Sequence, residues 1–105
     1  MARVYIDGRN VQRSQWPNLS DEELVERTRA WAERHGHEAV IVFDGEAPAG
    51  AIGSGGESAD DWLIREAPGY PGAWLVTSDR ALREAAGEAA SRIVGGGAFL
   101  RGLDE

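Results

Sequence analysis

At 105 residues the chain is one domain, long enough to bury roughly 65% of its unfolded surface around a single core. A 42% hydrophobic fraction without an apolar run of membrane-spanning length, and no signal-peptide pattern, give the expectation of a cytoplasmic protein that does not enter a membrane. The absence of cysteine excludes disulfides, thiolate metal sites and a cysteine nucleophile, and the net charge of −7 argues against a passive nucleic-acid coat, whose affinity would come from neutralising phosphates with basic groups.

Arg3 to Ile6, "RVYI", is a short β-branched and aromatic run and predicts a first strand, with a long turn through Gly8, Asn10, Pro17 and Asn18. Ser20 opens "SDEE" with Glu23 three residues on, and Leu24, Thr28, Trp31 and His35 follow at helical spacing. This is a capping box leading an amphipathic helix that ends near Gly36. "AVIVF", Ala39 to Phe43, has no polar alternation and predicts a strand covered on both faces, as in a parallel sheet. The loose stretch "GEAPAGAIGSGG" precedes a helix expected from about Glu57 to Ala67, and "APGYPG" breaks the chain. "AWLV", Ala73 to Val76, is a third buried strand. "TSD" then leads into a helix from about Arg80 to Ala90, Arg92 to Val94 is a short fourth strand, and Ala98 to Leu103 after "GGG" is a final helical turn. Strands alternating with helices define a compact α/β fold: an open, mostly parallel sheet of about four strands with flanking helices.

Three apolar strands are each followed by an acid. "VYID" gives Asp7, "VIVFD" gives Asp44 and "WLVTSD" gives Asp79. In open α/β sheets the residues just beyond the C-terminal strand ends line the binding crevice, although a lone Asp in such a place is as readily a turn residue or helix cap. Asp60 adds a fourth carboxylate. On a helical wheel it falls between Ile64 and Ala67, on the side that Ala59 and Leu63 also share, while Asp61 points away toward Arg65. A carboxylate on a buried side is normally paired, protonated or bound to a metal. The pairing alternative would use an arginine such as Arg3 or Arg92. The metal alternative turns the helix toward the strand-end acids and joins four carboxylates in an all-oxygen site suited to Mg²⁺ or Mn²⁺. Glu57, at the start of the same helix, is either a supporting group behind that site or a helix-end charge.

At these residues the chain resembles the PIN-like nuclease superfamily, and within it the NYN domains of the YacP type. "VYIDGRNV" is similar to their opening strand with Asp-Gly-x-Asn, "VFDGEAP" to their Phe-Asp-Gly, "GESADDWL" to their Glu-x-Ala-Asp helix and "VTSDRALR" to their Thr-Ser-Asp, in the same order along nearly the whole chain. The resemblance implies a single PIN-like domain over residues 1–105 and a metal-dependent ribonuclease acting on RNA or structured nucleic acid. It makes Asp7, Asp44, Asp60 and Asp79 the acidic centre, has Asn10 orient Asp7 or touch a phosphate, and has Ser78 support Asp79 or the scissile phosphate. Arg9, Arg13 and Arg80 are the cations expected to position the strand. The chain is shorter than typical members, chiefly between Gly50 and Gly56, and lacks their basic surplus.

Other signals point elsewhere or nowhere. "GSGGES" has the glycines of a phosphate loop but no Gly-Lys-Ser/Thr. His35 and His37 sit at a helix end, where dipole and turn roles suffice. Trp31, Trp62 and Trp74 are expected in the core or an interface, and Trp62, off the Asp60 face, could cover a neighbouring element or the partner in a homodimer. Trp16, in a loop, could stack on a base. Two rival functions share the acids: a non-cleaving module that binds RNA or a protein partner, and a Mg²⁺-dependent phosphoacceptor domain, which would need a lysine that the sequence lacks.

Overall fold

The structure is a computed structural model and describes residues 2–105. Its elements alternate in the expected way: β1 Arg3–Asp7, α1 Gly8–Arg13, α2 Asp21–His35, β2 Glu38–Phe43, β3 Ile52–Gly53, α3 Ala59–Glu66, β4 Trp74–Val76, α4 Arg80–Ala86, β5 Arg92–Val94 and α5 Gly96–Gly102. Five strands form one all-parallel sheet in the order β3-β2-β1-β4-β5. The count of about four rises to five because Ile52–Gly53 pairs beside Val42 and Phe43. Two residues inside a glycine-rich stretch carry no periodicity from which a strand could be read.

The unbroken apolar runs are explained by two cores. Val4, Ile6, Ile41, Phe43 and Val76 face α1, α2 and α5, where Val11, Leu24, Trp31, Phe99 and Leu103 meet them. Tyr5, Val40, Val42 and Leu75 face α3 and α4, against Ala59, Leu63, Leu82 and Ala86. Helices that carry the chain in one direction along the sheet cover one face and those that carry it in the other direction cover the opposite face, as right-handed crossovers require.

Local signals behave as their chemistry dictates. The Ser20 hydroxyl accepts from the Glu23 amide at 3.1 Å, and Gly36 closes α2 in the left-handed region at φ 69°. The turn predicted after β1 is instead the helix α1, whose first residue packs hard on β2: a Cβ at Gly8 would lie 2.7 Å from the Phe43 ring. Helix α4 ends four residues earlier than expected, at Ala86. Helix α3 begins at Ala59, capped by the Ser58 hydroxyl, so Glu57 stands outside it, and a 3-10 turn over Ala67–Gly69 follows. The wheel placed Ile64 on the buried side; it is exposed, and the stripe that packs is the narrower one of Ala59, Leu63 and Ala67. Trp62 is half-buried with its ring centroid 6.3 Å from that of Tyr5 in the same chain. Among the described residues no helix is long and apolar enough to cross a membrane.

Candidate active site

The chain leaves β1 toward β2 and β3 on one side and later enters β4 and β5 on the other, so the strand order reverses between β1 and β4. Crevices at such switch points, outside the C-terminal strand ends, are where open α/β sheets bind ligands. Asp7 ends β1, Asp44 follows the last residue of β2, Asp79 stands between β4 and α4, and Asp60 lies in the first turn of α3. All four carboxylates act on this one edge of the sheet. Asp7 is buried and its carboxyl is pushed up to about 6, chiefly by burial, with further upward contributions from Asp60 and Asp44 and opposing ones from the Thr77 hydroxyl and the backbone N–H of Asn10. Asp60 is raised as well, by burial first and then by Asp79, Asp44 and Asp61. The side chain of Asp60 is only half-buried, so it sits at the border of the packed stripe rather than within it.

None of the four belongs to an ion pair among the described residues. Arg3 is engaged by Glu38 at 2.9 Å and lies over the rings of Tyr5 and Tyr70, and Arg92 lies over Trp74. The arginine pairing considered for Asp60 is therefore not made. Cap roles are made, but each uses one oxygen: Asp44 Oδ1 accepts from the Ala59 amide at 2.7 Å and Asp79 Oδ1 from the Leu82 amide at 3.0 Å, so each carboxylate keeps a second oxygen. Mutually repelling, cation-free carboxylates are the donor chemistry that a hard divalent ion suits. The cluster is open: as the side chains stand, no three His, Asp or Glu groups among the described residues are gathered tightly enough to hold one ion.

A polar lattice fixes this edge, and most of it could not be anticipated from the sequence. Thr77, fully buried, donates its hydroxyl to Asp7 Oδ2 at 3.1 Å and accepts from the Asp79 amide at 3.1 Å. It thereby ties the acid of β1 to the turn that carries the acid of β4. Its only signal in the sequence is its place in "TSD". Asn10 Oδ1 accepts from the Ser78 amide at 2.8 Å, and the Ser78 hydroxyl accepts from the Gly96 amide at 2.9 Å, lacing the ends of β1, β4 and β5 together. Asn10 thus organises the β4 turn through its oxygen, and its amide nitrogen is the side left to donate. Ser54, buried, accepts from the Gly45 amide and donates to the Glu57 carbonyl, which holds the loop after Asp44 against the approach to α3.

The charged groups divide in a way that composition could not show. Arg9 pairs with Asp21 at 2.7 Å, donates to Gln12 at 2.9 Å and lies over the Phe43 ring, so it staples α1 to α2. Buried Gln12 completes the staple by donating to Asp21 and to the Leu19 carbonyl, and the Asp21 carboxyl is held below its usual range by Gln12 first and then by Arg9. Glu57 pairs with Arg65, which also holds Glu66; Arg65 therefore turns to these two acids rather than to Asp61. Arg13 and Arg80 are exposed, and Arg83 stands beside the crevice with Nε donating to the Thr77 carbonyl at 2.8 Å.

The all-parallel sheet order and the helices on both faces make a YacP-like α/β fold. The chain superimposes on Rae1 (YacP) from Bacillus subtilis. In the crystal structure of a tryptophan-to-leucine variant the TM-score is 0.81 at 20% sequence identity, covering 99% of this chain and 76% of that one. A second crystal structure of Rae1 gives 0.75 at 18%, covering 99% and 74%. No family model matches the sequence, and no curated protein matches it at a significant level.

Proposed function

We propose that this chain is a Mg²⁺- or Mn²⁺-dependent nuclease that hydrolyses phosphodiester bonds in RNA or structured nucleic acid. The observation that carries the reading is the convergence of four carboxylates, free of any cation partner, on the switch-point edge, with Asp7 pushed up to about 6 by burial and by its neighbours. Asp7, Asp44, Asp60 and Asp79 would be the oxygen ligands. A divalent ion bound there supplies activation of water and stabilisation of charge on phosphate and leaving oxygen.

The chain's own groups have separate tasks. Thr77 donates to Asp7 and so favours its ionised, ligating form against the burial that opposes it. The Ser78 hydroxyl accepts from Gly96 and keeps its own proton for a phosphate oxygen, and the Asn10 amide offers a second donor from the same edge. Arg80 and Arg13, both exposed, would steer the strand. Arg9 acts at one remove, by holding α1, and Glu57 supports α3 through Arg65.

Incubating the protein with single-stranded RNAs and flap DNAs in Mg²⁺ or Mn²⁺, against the same reactions in EDTA, tests the proposal. Cleavage that requires the metal and is lost in Asp7→Asn supports it; cleavage indifferent to EDTA overturns it. The openness of the acidic cluster favours one rival, a module that binds RNA or a partner without cutting. Metal-dependent binding of those nucleic acids without cleavage would establish it. A phosphoacceptor role is disfavoured because the chain contains no lysine to sit beside a phosphoryl group.

A further inference from the structure

At the opposite end of the sheet from the carboxylates, the first residues of β4 and β5, Trp74 and Arg92, are register neighbours. With Trp31 and His35 of α2, His37 of the turn before β2 and Phe99 of α5, they line a cavity of about 330 Å³. Its aromatic lining is one contiguous cluster of rings packed on each other. The Trp31 ring centroid lies 5.1 Å from Phe99, 5.2 Å from His37 and 6.2 Å from Trp74, and His37 lies 4.7 Å from Trp74. Arg92 spreads its guanidinium over Trp74 at 4.7 Å and has no carboxylate partner among the described residues. His37 Nδ1 accepts from the Ala2 amide at 3.1 Å, which leaves the proton of the neutral ring on Nε2 as a fixed donor. Burial holds His37 below its ordinary pKa, so the ring is neutral at physiological pH. Glu105, also on the lining, is an acceptor for the amino groups that bases carry.

We propose that this cavity is a second ligand site that takes a nucleoside monophosphate, its base laid in the cavity against the accessible surface of the aromatic cluster and its phosphate on Arg92. Aromatic faces stack on any base, and an unpaired guanidinium on the same wall supplies the planar fork a phosphate needs. A methylated ammonium would also suit the rings, but the Arg92 cation opposes it. The volume accommodates one nucleotide and not a folded segment. The same chemistry is offered by a free nucleotide and by the phosphorylated end of an RNA strand. The inference stands apart from the nuclease reading, because neither the residues nor the ligand contact depend on the carboxylate edge.

The four tryptophans give four indole N–H signals in a nuclear magnetic resonance spectrum. The intact protein, in EDTA, is titrated with adenosine monophosphate, with adenosine, and with one short RNA carrying or lacking a terminal phosphate. Conservative Trp31→Phe and Trp74→Phe variants assign the signals. The expected result is a saturable shift of Trp31 and Trp74 with Trp16 and Trp62 unmoved, and a loss of about tenfold in affinity for the monophosphate in Arg92→Gln with adenosine unaffected. Arg92 is exposed, so that variant keeps its fold. Tighter binding of the phosphorylated RNA than of the monophosphate identifies a strand end as the ligand; the reverse order identifies a free nucleotide. No saturable shift at millimolar ligand, shifts confined to Trp16 or Trp62, or an Arg92→Gln variant that binds the monophosphate as tightly as the parent would each overturn the proposal.

Discussion

Asp7→Asn should make the metal-free protein more stable near neutral pH and leave it almost unchanged in mild acid. The Asp7 carboxyl rises from 3.8 to about 6 in the folded chain, because burial disfavours its charge more than Thr77 and Asn10 favour it, and Asp60 and Asp44 add repulsion. A group whose folded pKa exceeds its unfolded value contributes stability that is full below the unfolded value and lost as pH rises through the folded one. Above a pH of about 6, keeping Asp7 ionised therefore costs the folded state about 3 kcal/mol, from ~1.4 kcal/mol per pH unit of displacement. Asparagine keeps the shape and an oxygen for Thr77, but its NH₂ group puts two donors where the carboxylate had an acceptor, and burying them reduces the expected gain to about 1–2 kcal/mol. In a chain of this length that is a rise of roughly 5–10 °C in melting temperature. Circular-dichroism melts of parent and variant in EDTA, at about pH 7.5 and about pH 4.5, measure it, and the difference between the two gaps cancels most of what other carboxylates do. The gap should nearly close at the lower pH, where the parent carries the proton. An equal gap at both values, or a variant that melts lower at neutral pH, would refute the account of Asp7 as a carboxylate held against repulsion and desolvation.

Asp60→Asn should also raise the metal-free melting temperature, by a few degrees if roughly 1 kcal/mol of repulsion is relieved, and added Mg²⁺ or Mn²⁺ should narrow or reverse that gap; exposed Asp61→Asn is the matched control and should change neither. Thr77→Val removes the donor to Asp7 and the acceptor of the Asp79 amide, so it should cost about 1–3 kcal/mol near neutral pH and move the Asp7 titration, followed by carboxyl carbon resonances, above its parent value. Thr28→Val should stabilise by about 1 kcal/mol in urea unfolding, because the Thr28 hydroxyl is fully buried without a hydrogen-bond partner among the described residues. Gly8→Ala should lower the urea midpoint by the equivalent of about 2–3 kcal/mol, since the new Cβ would stand 2.7 and 2.8 Å from Phe43 ring atoms and 3.0 Å from the Val42 carbonyl.

What could be read before the fold was known is what neighbouring residues decide among themselves. Ser20 and Glu23 are three residues apart, Gly36 ends its helix by its own φ, and an unbroken run such as "AVIVF" declares two covered faces without reference to what covers them. The strand-end acids belong to the same class, because the end of an apolar run is a local event. Helix α1 escaped because six residues barely exceed one and a half turns, and their order comes from Val11 in the core and from the Arg9–Gln12–Asp21 staple. The face of α3 differs from the wheel for a related reason: a wheel assigns Ile64 by angle alone, whereas only the narrow stripe of Ala59, Leu63 and Ala67 meets the sheet and Ile64 stays exposed.

The polar lattice of the candidate site lies beyond any local rule, since the Thr77 to Asp7 bond joins residues 70 apart and the Asn10 to Ser78 bond residues 68 apart. These long-range bonds bear on how the acids are used. An Asp at a strand end is ambiguous between cap and ligand, and Asp44 and Asp79 resolve the ambiguity by being the first with one oxygen while keeping the other. Asp7 differs, because it is the most buried of the four and the one whose hydroxyl partner comes from another strand. A purely structural carboxylate in that position would be better replaced by a neutral side chain, as the pH dependence expected for Asp7→Asn makes measurable. The fold buries a charge there, supports it with Thr77 and pairs none of the four carboxylates with an arginine among the described residues, and this is the physical argument behind the proposal that a divalent ion supplies the counter-charge.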